Sequence, residues 1–146
     1  MSCRTGKGFN GKWSTPAMYS IGGASAGLQL GGTSTDIVLL IMSPTAAEKV
    51  MNGKVKVGTD ATAAAGPGAS TTMSNADILT YSRTKGLFAG VSLDGATLDP
   101  DGDANGRLYG SGVSAQSVVT GDTKVKATPA GASFSGVLNQ NAAKHK

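Results

Sequence analysis

A chain of 146 residues is about one domain, long enough for a real core and too short for two independent ones. Its composition is 39% hydrophobic and only 5% aromatic, with 22 glycines; the absence of a G-X-Y period excludes collagen, and long apolar runs argue against wholesale disorder. The net charge of +4 is a basic stretch through Lys56, an acidic middle from Asp60 through Asp122 and a basic tail. That pattern reads as an ordinary mixed surface, or as two chain ends forming a basic patch for phosphate or an anionic membrane.

In chain order, RTGKGFNGK at residues 4–12 lacks the spacing of a phosphate loop or a dinucleotide loop, and reads as a turn or a ragged edge strand. Trp13 is a core or rim anchor, and Ser14, Thr15 and Pro16 form a turn. A strand runs to about Ile21, a glycine bend follows, and a second strand falls near residues 26–30. DIVLLIM at residues 36–42 is continuously apolar over strand length, as expected of a central strand covered on both faces. Ser43 caps and Pro44 opens a short helix ending near Asn52 or Gly53. In KVKVGTD, Val55 and Val57 alternate inward against Lys54 and Lys56. The alanine-rich strand after it passes into a turn at Gly66, Pro67 and Gly68, and residues 71–76 are a loop.

The most organised stretch runs from Asp77 to Gly110. An apolar run carries Tyr81, a basic break follows at Arg83 and Lys85, and Leu87, Ala89, Val91 and Leu93 recur at period two. Phe88 points the other way and ranks first as a core residue. Asp99, Asp101, Asp103 and Asn105 stand at alternate positions like the first half of a calcium loop. Gly102 is displaced from the sixth position and Gly110 replaces the bidentate glutamate, so turn or helix-capping chemistry is favoured over calcium. Further on, residues 114–122 hold a short helix or strand, and Thr128–Pro129 starts a helix with a modest apolar stripe of Phe134, Val137 and Leu138.

The chemistry for catalysis is thin. His145 is the only histidine and lies near the terminus, Cys3 has no base beside it, and no G-x-S-x-G elbow is present. The chain reads as non-catalytic and without a cofactor. Lone Cys3 supports neither a disulfide framework nor a thiolate metal cluster, and no apolar segment precedes it to support lipid anchoring. Basic and aromatic residues mix around Trp13 and Phe88, yet no nucleic-acid motif accompanies them. No stretch is long enough to cross a membrane. The abrupt start reads as a core lacking an upstream segment, with residues 1–12 and 140–146 flexible.

Several segments in order resemble the SYLF, or Ysc84-like, family: WSTPAM at 13–18, GLQLGG at 27–32, DIVLLIM at 36–42, KVKVGTDATAAAGPG at 54–68 and YSRTKGLFAGVSLDG at 81–95. Asn105, Tyr109 and Gly110 resemble its closing segment. The resemblance implies phosphoinositide or other anionic-lipid binding, and sometimes actin assembly in endocytosis, in eukaryotic members. Bacterial members are envelope or secreted proteins, including lipoproteins. The family's basic amphipathic amino-terminal segment has no counterpart in this chain.

Together these readings predict a single glycine-rich domain, mainly β with short helices (α+β), built on a curved antiparallel sheet approaching a barrel. The expected role is non-catalytic binding of anionic lipid at a membrane or envelope surface. By charge, Lys54, Lys56, Arg83 and Lys85 are the first candidates, with Arg4, Lys7 and Lys12 secondary. The alternative is a structural or protein-interaction module of the envelope. The expected location is the envelope or outside a bacterial cell, or the cytoplasm and membrane periphery of a eukaryotic one.

Overall fold

The apolar run at Asp36 forms a strand, β2 (Asp36–Ile41), and Ser43 then starts a helix by the expected capping. The computed structural model describes residues 1–23, 36–66, 75–84 and 86–142. The Ser43 hydroxyl accepts from the Ala46 amide at 3.1 Å, which satisfies one of the orphan donors of α1 (Pro44–Asn52). α1 buries Ala46, Ala47, Val50 and Met51 and turns Glu48, Lys49 and Asn52 to solvent.

Besides β2 the strands are β1 (Tyr19–Gly22), β3 (Val55–Lys56), β4 (Ala63–Ala65), β5 (Ile78–Thr84), β6 (Leu87–Gly90) and β7 (Thr97–Pro100). The remaining helices are α2 (Gly102–Tyr109), α3 (Ala115–Thr120) and α4 (Pro129–Asn141). The strands form two sheets, so the fold is α+β. One sheet has the order β1–β7–β3, and the other is built around β5. β2 runs antiparallel along one edge of β5, from Asp36 opposite Arg83 to Ile41 opposite Ile78. The opposite edge is shared: β4 pairs in parallel with Ile78 to Thr80, and β6 pairs antiparallel with Tyr81 to Thr84.

Three expectations change. The β4–β5 ladder is parallel, so this sheet is mixed, and among the described residues neither sheet closes into a barrel. β2 stands at the end of its strand order among the described residues, and Leu40 and Met42 are 45% and 48% exposed. Continuous hydrophobicity marks a strand without telling whether both of its faces are covered. Phe88 is 59% exposed and Leu87 77%; the period-two pattern reaches the core only at Leu93. The strand near residues 26–30, Pro67 and Gly68 of the expected turn, residues 71–74 of the loop, Lys85 and residues 143–146 lie outside the described residues.

The chain divides into two compact units, Met1–Ser20 with Pro100–Lys146, and Ile21–Asp99. In the first, residues 1–17 fold back on themselves: Thr5 N–H donates to Lys12 O (2.9 Å), Ser14 N–H to Cys3 O (2.8 Å) and Ala17 N–H to Met1 O (2.8 Å). A single 3-10 turn, Lys7–Phe9, closes that hairpin. Cys3, Ala17, Asn105, Ala115, Val118 and Val119 are buried in this unit. In the second, α1 contributes Val50 and Met51 to a core shared with Val55, Val57, Ile78, Leu79, Leu93 and Leu98.

Candidate functional site

The motif segments converge at two places, one in each unit. In the first unit, residues 13–18 are held by side chains from the helices. Asn105, fully buried, accepts from Met18 N–H at 2.7 Å and donates from Nδ2 to Met18 O at 3.0 Å, doing for one residue what a neighbouring strand would do. The Tyr109 hydroxyl donates to Pro16 O at 2.5 Å, and Asn139 Oδ1 accepts from Trp13 N–H at 2.9 Å. A β-carbon on Gly131 would run into the hydroxyl of Thr15. The Arg4 guanidinium lies 5.2 Å from the centroid of the Trp13 ring, so Trp13 is a half-buried rim anchor.

In the second unit, β4 and β6 meet end to end on β5. The place is marked by Gly66, Thr80, Tyr81 and Gly90. The Thr80 hydroxyl donates to Val91 O and lies 3.2 Å from Ala64 O. A β-carbon at Gly66 would overlap the Tyr81 ring, and one at Gly90 would strike the Gly66 carbonyl. Only glycine fits where backbone passes this closely over an aromatic ring.

The alternating aspartates fall on different elements. Asp99 stands on β7, Asp101 caps α2 by accepting from Ala104 N–H at 2.9 Å, Asp103 lies in the first turn of α2, and Asn105 is committed to Met18. Helix capping is thus the chemistry Asp101 performs. Among the described residues no cluster of three or more His, Cys, Asp or Glu is arranged to hold a metal ion.

Of the candidate cations, Lys7, Lys12, Lys54, Lys56 and Arg83 are exposed and Arg4 is half-buried. Lys54 and Lys56 flank buried Val55, and Lys54 borders an open groove of about 520 Å³ with Glu48, Lys49 and Asp60. Lys49 Nζ reaches Asp60 O at 2.8 Å there, and the Lys56 amide donates to Asp60 Oδ2 at 2.7 Å. Arg83 stands on the other sheet. Its Nη2 and Nε both donate to Asp36 Oδ2, at 2.5 Å and 3.0 Å, and its guanidinium lies 5.8 Å from the Phe88 ring centroid. Lys7 and Lys12 are exposed on the amino-terminal hairpin.

Asp77 escaped notice in the sequence. Its carboxylate takes the Ser43 hydroxyl at 2.7 Å and the Thr62 hydroxyl and amide at 2.8 Å and 3.1 Å. Its own amide donates to Thr62 Oγ1 at 2.9 Å. These bonds, led by that from Ser43, hold the carboxyl below the usual aspartate range.

The geometry defines an α+β module in which two glycines and a tyrosine bring two strands together on one edge of a central strand. The Ysc84 family, described as "Las17-binding protein actin regulator", matches residues 22–140. The chain belongs to the Ysc84, or SYLF, family. It is 36% identical over 121 residues to an SH3 domain-containing protein of Schizosaccharomyces pombe, covering 77% of this chain and 28% of that protein. To human SH3 domain-containing YSC84-like protein 1 it is 33% identical over 121 residues, covering 78% and 35%. To Saccharomyces cerevisiae protein YSC84 it is 30% identical over 125 residues, covering 80% and 27%. The chain thus spans about a third or less of the curated relatives it matches. No solved structure matches it.

Proposed function

We propose that this domain is a non-catalytic module that binds anionic lipid at a membrane surface. One observation carries the reading. The unit formed by the two chain ends holds eight basic and three acidic residues, net +5, whereas the other holds five basic and six acidic, net −1. Two basic segments distant in sequence are therefore gathered into one unit, where Lys7 and Lys12 join Lys124 and Lys126, all of them exposed. Lys54, Lys56, Arg83 and Lys85 are the candidate cations of the other unit, which also holds Lys49.

Vesicle co-sedimentation tests this. Binding to anionic vesicles, absent with neutral ones, is expected at low salt and weaker at physiological salt. Changing lysines to glutamine at Lys7, Lys12, Lys124 and Lys126, or at Lys54 and Lys56, is expected to cost about 5-fold per charge that meets the surface. Unchanged binding after both sets are changed would sink the proposal.

A second reading, a protein-interaction module, is supported by the family's description as Las17-binding. It predicts binding to neither kind of vesicle and retention of a specific protein in a pulldown that survives lysine substitution.

A further inference from the structure

The end of the β5–β6 hairpin exposes apolar surface where no core requires it. Thr84 pairs with Leu87 and Arg83 with Phe88. Gly86 takes φ of +80°, the left-handed conformation a tight turn asks of glycine. Leu87 is 77% exposed and Phe88 59%, and all four residues of β6 are exposed. Neighbouring residues of a strand point to opposite faces, so both faces of this tip are apolar. The stem behind it is thin, with Ala89 and Gly90. Residues 83–88 contain two cations and no acid.

From this geometry we infer that Leu87 and Phe88 form a wedge that enters the acyl boundary of an anionic bilayer. The inference rests on the lipid reading above and names the apolar part of that contact. A protein groove would cover one face of a strand. A bilayer is an isotropic medium that can cover both faces at once, and its phosphates carry the charge opposite to Lys85, the cation of residues 83–88 other than the Asp36-paired Arg83. Arg83 stacks over Phe88 on one face and is tied to Asp36, which fixes a cation at the base of the wedge while the ring extends beyond it.

The test uses the full chain with Cys3 changed to alanine and a single environment-sensitive NBD label on Leu87→Cys or Phe88→Cys, mixed with vesicles of phosphatidylcholine alone or with 30% phosphatidylserine (about that fraction holds the surface potential in the physiological range). Sedimentation and NBD emission are read on the same samples. Pelleting with anionic vesicles together with a blue shift and brightening at both positions is the expected result. Leu87→Ser with Phe88→Ser should weaken pelleting about 10-fold or more while leaving the melting temperature in place, because both residues are exposed. Pelleting without any NBD change overturns the wedge and leaves the lipid reading standing. No pelleting overturns both.

Discussion

At the residue scale, single polar side chains replace regular structure. Asn105 is the clearest case, because one buried amide accepts from Met18 N–H and donates to Met18 O, a carbonyl that also accepts from Asp101 N–H at 3.0 Å. Asn105→Ala removes the partner of Met18 N–H and leaves Met18 O with Asp101 N–H, and is expected to cost about 1–3 kcal/mol in urea denaturation. Asn105→Asp keeps the acceptor and loses the donor while burying a charge, so it should be at least as damaging. A neutral outcome for Asn105→Ala would mean that residues 13–18 are held chiefly by Tyr109 and Asn139. Asp77 acts similarly on two residues, Ser43 and Thr62, but as an anion. Its folded-state pKa is depressed, so its contribution is complete above the ordinary aspartate range and disappears as pH falls through the lowered value. Thermal melts of Asp77→Asn against the parent should differ most near neutrality and converge in acid; a constant difference would show that the charge itself is irrelevant.

At the element scale, β5 is the member on which the second unit depends. One of its edges carries all of β2, while the other must accommodate two strands arriving from opposite directions. That requires a gap of backbone width at Tyr81, and Gly66 and Gly90 supply it. Gly66→Ala is expected to destabilise by about 1–3 kcal/mol through overlap with the Tyr81 ring. Adding Tyr81→Ser should recover part of that loss, since the clashing atoms are removed, and a double-mutant cycle would expose the coupling. Strict additivity would show that Gly66 is needed for its backbone alone. The sequence already contained the alternation, the caps of α1 and α4 and the turn glycines. It did not contain the face on which Leu87 and Phe88 would lie, because period two is the same whether a hairpin is packed or protrudes.

At the scale of the whole molecule, charge follows topology. The acidic middle of the sequence is divided between the units, but the basic ends fall together, so the first unit gains a net charge of +5. Its association with an anionic surface should therefore weaken with salt more steeply than that of a chain with Lys7, Lys12, Lys124 and Lys126 changed to glutamine. Equal salt slopes would assign binding to the β5–β6 hairpin and to Lys54 and Lys56 instead. The chain spans about a third or less of the curated relatives it matches.

By itself the sequence determined the family, the α+β class and the local punctuation. Ser43, Pro44, Thr128 and Pro129 act through bonds to residues a few positions away, and such chemistry is readable wherever it occurs. The strand hydrophobicity of residues 36–41 and 78–81 is equally local. Only the tertiary structure decided that β2 stands at the end of its strand order among the described residues, that β4 and β6 share one edge, that Asp77 has a structural task and that Leu87 and Phe88 stay outside. Each of those outcomes depends on which distant segment supplies the neighbouring surface, and neither composition nor period encodes that choice.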